Sequence, residues 1–63
     1  MDEITKTLLN MSEQLAVAVN DAEKFDAGNN SAGTRVRKAM QNIKSLAQSV
    51  RLEVQAQKNG VPA

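Results

Sequence analysis

Apolar and small residues fall at Ile4, Leu8, Met11, Leu15, Ala18, Ala22 and Phe25, with spacings of four and three in strict alternation. That period places them on one stripe of an α-helix. A second set, Val36, Met40, Ile43, Ala47, Val50 and Val54, repeats the alternation, and Ala39 and Leu46 widen its stripe. The pattern predicts an all-α chain with a first helix over about residues 2–27, a turn at 28–29, a second helix over about 30–58 and a frayed tail over 59–63. Gly28 suits the left-handed position just past a helix end, and Asn29 or Ser31 can accept hydrogen bonds from the first free N–H groups of the next helix. Gly60 and Pro62 close the second helix.

If the two stripes face each other in an antiparallel hairpin, facing positions must share a constant sum of residue numbers. Ile4 with Val54, Leu8 with Val50, Met11 with Ala47, Leu15 with Ile43, Ala18 with Met40 and Ala22 with Val36 all share the sum 58. The same register sets Phe25 opposite Gly33, where a missing side chain leaves room for the one aromatic ring. A glycine in the first turns of a helix otherwise costs about 1 kcal/mol relative to alanine without an evident return. A single unbroken helix pairing between chains is the other topology compatible with this periodicity, since some helices tolerate glycine.

One stripe against one stripe leaves each helix half exposed. Leu9, Ala16 and Val19 on the first helix and Leu46 on the second are apolar positions that need a cover, so the hairpin is expected to assemble through them into a dimeric four-helix bundle or a higher oligomer. Scattered apolar surface residues are the plainer account of the same positions. Length supports assembly. At 63 residues, with neither cysteine nor histidine, the chain has no disulfide staple and cannot build the usual zinc, haem or non-haem iron ligand sets. No metal or cofactor is expected. No apolar run approaches the ~20 residues of a membrane span, and the chain opens on Asp2-Glu3 rather than a basic stretch, so it reads as soluble and intracellular, with no membrane partner.

Net charge is only +1, but it is unevenly distributed. Residues 1–26 hold six acids and two bases, and residues 27–63 hold six bases and one acid, giving −4 and +5. An asymmetry of this kind fits a polyanionic partner, and equally an acidic helix complementing a basic one. Arg37, Lys44, Arg51 and Lys58 recur every seven residues along one edge of the second helix, while Lys24, Arg35, Arg37 and Lys38 crowd the turn end. Interhelical ion pairs produce the same seven-residue edge. With no tyrosine or tryptophan to stack on bases, any nucleic-acid contact here is to phosphates, salt-sensitive and poor in sequence preference.

Other chemistry finds little support. Gly28 and Gly33 have the spacing of a phosphate-binding loop, but Thr34-Arg35 stands where Lys-Ser/Thr is required and no strand precedes it. A weaker version survives, in which the start of the second helix and the Ser31 and Thr34 hydroxyls hold one backbone phosphate, with simple helix capping as its rival. Ser12, Ser31, Ser45 and Ser49 have no base to activate them, so neither an enzyme nor a small-molecule substrate is expected.

Gly28-Asn29, then Ala32-Gly33-Thr34-Arg35-Val36-Arg37-Lys38, with Arg51 fourteen residues after Arg37 and then Glu53, resembles the helical domain of bacterial linker-histone-like proteins of the chlamydial type, over roughly residues 20–58. Proteins of that type usually carry a long tail rich in lysine, alanine and proline, and the sequence ends at Val61-Pro62-Ala63 without it. The resemblance implies a nucleoid-associated protein of the cytoplasm, or a viral one acting in a host cytoplasm, that binds and compacts DNA without strong sequence preference. It implies Arg35, Arg37, Lys38 and Arg51 as the DNA-contacting residues, to which the basic pattern adds Lys24, Thr34 and Lys44. A structural or protein-interaction module, assembling through the surplus apolar face with no nucleic-acid role, is the alternative.

Overall fold

The computed structural model describes residues 2–60, with side chains over residues 3–59. Helix α1 spans Asp2–Asp26 and helix α2 spans Asn30–Gly60. The chain reverses between them, so the two helices pack side by side in a rod of 52 × 15 × 11 Å, which rules out the single unbroken helix. Ala27 falls in the turn rather than in the first helix, and α2 runs two residues beyond Lys58. Of the tail expected to fray, residues 59 and 60 are helical, and 61–63 lie outside the described residues.

The turn is built from hydrogen bonds that serve both helices. Gly28 adopts φ +108°, a backbone region that disfavours any side chain. Its N–H donates to the Phe25 carbonyl (2.9 Å) and the Asn29 N–H donates to the Lys24 carbonyl (3.0 Å), the paired bonds of a Schellman motif closing α1. Asn29 then caps α2, its Oδ1 accepting from the Ala32 N–H at 3.2 Å. One residue thus ends one helix and begins the next. Of the two capping candidates in the sequence, Asn29 takes the role.

Phe25 lies over Gly33 as the facing register requires. A Cβ built at Gly33 would stand 2.6 Å from two atoms of the ring, so glycine is what lets the ring close on α2. The seam itself is set one column away from the expected stripe. On α1, Ile4, Thr7, Met11, Gln14, Ala18, Asp21 and Ala22 are buried or half-buried, while Leu8 and Leu15 stay about half exposed. On α2 the buried or half-buried residues are Ala32, Gly33, Val36, Ala39, Ile43, Leu46, Ala47, Val50 and Glu53, with Met40 and Val54 more exposed. Apart from Ala22, Gly33 and Ala47, the two series keep the three–four alternation of a coiled-coil seam. Phe25 over Gly33 keeps the expected sum of 58, and Arg35 on Asp21 gives 56.

The polar side of the seam is clearest at the turn end. Asp21 is buried, and its Oδ1 receives the Arg35 Nε–H at 3.0 Å across the helix pair. Thr7 and Gln14, half-buried, stand at seven-residue intervals before it on the same edge of α1, and Leu8 and Leu15 are more exposed. Among the described residues the buried apolar ones are Ala18 and Ala32, and the one larger buried side chain is that of Asp21. The hairpin therefore has a seam without a core.

Candidate nucleic-acid interface

The basic residues of α2 are placed by its heptad. Counted from the seam, Arg37, Lys44, Arg51 and Lys58 occupy one column, successive members separated by seven residues, or about 10 Å along the axis. All four are exposed. Among the described residues none makes an ion pair, and the polar contact that Arg51 makes is to Gln48 Oε1 at 3.5 Å on its own helix. Glu53, the one acid of α2, accepts from the Gln57 amide at 3.2 Å. The column is thus a line of unneutralised cations about 30 Å long.

Near the turn the candidates divide into two groups. Thr34, Arg37, Lys38 and Lys44 surround a shallow depression on α2. Arg35 and Lys38 border a different groove, on the side of the hairpin lined by Asn10, Gln14, Val17 and Asn42. Lys24 is exposed in the last turn of α1. Arg35 is the cation that sequence reasoning placed with the others and the structure ties down: its side chain is half exposed, and its Nε is committed to Asp21. The free part of its guanidinium still faces solvent. Exposed acids, Glu23 and Asp26, stand on the same end of α1.

Lys58 continues the seven-residue edge read from sequence as the fourth cation of the column. One participant, Asp21, was given no such role from sequence, and it decides which way Arg35 points. Its only signal is its phase, seven residues after Gln14 and fourteen after Thr7. The apolar positions expected to form an interface also separate: Leu9, Ala16 and Val19 are exposed, whereas Leu46 is half-buried between the helices. No cluster of three or more metal-ligating side chains occurs among the described residues, and no helix there is long and apolar enough to cross a membrane.

The family model for histone H1-like protein Hc1 matches residues 5–60. The chain belongs to that histone H1-like family. The matched span takes in both helices, the turn and every cation considered above, so the likeness first visible around the turn and α2 extends through most of α1. No curated protein and no solved structure matches the chain.

Proposed function

We propose that this protein packages DNA as a histone-like, nucleoid-associated factor, contacting backbone phosphates without sequence preference through α2 and the turn. The observation that supports this most directly is the exposed column Arg37, Lys44, Arg51 and Lys58, free of ion pairs among the described residues, in a member of the histone H1-like family. Lys38, Lys24 and Thr34 add contacts at the turn end. Arg35 contributes with the part of its guanidinium that Asp21 leaves free. Four to six phosphate contacts of this kind give weak binding with a steep salt dependence. They read charge and not base edges, and α2 offers no aromatic side chain to stack on bases.

Assembly belongs to the same reading. Weak phosphate sites gain when copies are linked, and Leu9, Ala16 and Val19 add exposed apolar surface at the rim of a homo-oligomer interface, with Leu46 held in the seam. The decisive experiment is binding of random-sequence duplex DNA across a salt series, comparing the native chain with an Arg37→Glu/Lys44→Glu/Arg51→Glu variant. The native chain is expected to bind with affinity falling steeply as salt rises, and the variant to lose binding to all sequences alike by at least about a hundredfold. Equal affinity of the two proteins would remove the column from the interface.

A further inference from the structure

The two sides of the hairpin differ in kind. One carries the groove lined by Asn10, Gln14, Asp21, Arg35 and Asn42. Residues flanking the seam in the opposite sense on both helices must share the other side, and these are Leu8, Leu15 and Ala22 on α1 and Met40, Ala47 and Val54 on α2. Phe25 lies at its turn end, in a depression shared with Gly33 and Val36. Leu8, Leu15, Phe25, Met40 and Val54 are each between 39% and 48% exposed, so none is enclosed by its own hairpin. Val19 borders this side on α1. On α2 the border is the cation column itself, one step further round the helix from Met40, Ala47 and Val54.

The exposed area points to the occupant. The chain exposes 4865 Å², whereas a compact monomer of 6.8 kDa exposes roughly 4000 Å². The excess is close to the ~800 Å² that each partner loses in a standard interface. A second copy of this chain fits, because it presents an apolar side of the same length and width. Two-fold symmetry allows two face-to-face arrangements. With turns at opposite ends, α2 lies along the partner's α2, and the four column cations of one copy run beside the four of the other. With turns at the same end, α2 lies along the partner's α1. The positions on α1 that then meet the column are Thr5, Ser12, Val19 and Asp26, three of them uncharged and one acidic, with Glu23 close by.

We propose that two copies form a four-helix bundle with both turns at one end, each α1 packed against the partner's α2. Like-charge repulsion along the alternative seam selects this arrangement, and the aliphatic stems of Arg37, Lys44 and Arg51 cover the partner's α1 while their charged heads stay in solvent. Lys24, Arg35, Arg37 and Lys38 of the two copies then meet at a single end of the bundle. That last consequence bears on DNA only through the function proposed above; the pairing does not depend on it.

The chain has no native cysteine among its 63 residues, so a single spin label reports cleanly. Ser31 is exposed at the turn end of α2. The full chain carrying Ser31→Cys, labelled and measured without DNA, is expected to show one inter-label distance of about 20–30 Å, the width of a bundle. A distance of about 40 Å or more, the turns lying at opposite ends of rods with a 52 Å long axis, overturns the arrangement. So does a mixture of short and long distances, and so does a protein that sediments as a monomer at hundreds of micromolar. Because the measurement contains no DNA, a failure of DNA binding leaves it standing, and a wrong distance leaves the phosphate column standing.

Discussion

The two ends of the hairpin are held in different ways. At the turn end, Gly28, Asn29, Phe25 on Gly33, the buried alanines Ala18 and Ala32 and the Asp21–Arg35 pair act within a few residues of one another. At the open end the facing residues are Ile4, Thr7, Val50 and Glu53, all half-buried, and the side-chain hydrogen bonds stay within one helix: Thr7 Oγ1 to the Glu3 carbonyl and Gln57 to Glu53. Specific, short-range contacts secure one end, and generic apolar coverage secures the other. A helix pair too thin to enclose a core can still be given one geometry, provided one end is fully determined.

The turn end is disturbed most severely by substitution at Gly33. Gly33→Leu is expected to drive the Phe25 ring off α2 and lower stability by about 2 kcal/mol, read from thermal unfolding at fixed protein concentration. In a Phe25→Ala background the sign at this position reverses: Gly33→Ala should then stabilise by about 1 kcal/mol, because only the helix propensity remains. A smaller loss, about 1–2 kcal/mol, is expected from Gly28→Ala, since the added Cβ meets no neighbouring atom within 4 Å and the penalty is one of backbone conformation alone. Val50→Ala at the open end sharpens the contrast from the other direction. It should cost less than about 1 kcal/mol, because the side chain is already partly in water. A larger loss at Val50 than at Gly28 would mean that the open end carries the hairpin.

Much of this fold was legible from residue spacing. The helices, the turn at Gly28-Asn29 and the placing of Phe25 on Gly33 all follow from periodicity and from the special position of glycine. The seam was displaced by one column because the apolar stripe of α1 is wider than a single facing helix can cover. Spacing alone counts Leu8 and Leu15 as inward as readily as Thr7 and Gln14. The inward edge also holds Asp21, whose ion pair with Arg35 joins residues fourteen apart in sequence, and neither residue announces its partner. The cation column was legible for the opposite reason: seven-residue spacing is a local property of one helix and needs no knowledge of the other. The division of labour among the basic residues was not, since Arg35 resembles its neighbours until its carboxylate is located.

Asn29, which finishes α1 and caps α2, has a consequence for the order of events as the chain folds. Three residues separate the helices, so bringing the ends of α1 and α2 together closes almost no loop and forfeits almost no chain entropy. The turn end can therefore form first, on the microsecond scale of local helical structure, and the helices close from it toward the termini. A nascent hairpin shows its basic turn before its apolar side is complete, and the open end is the last part to close and the first to come apart.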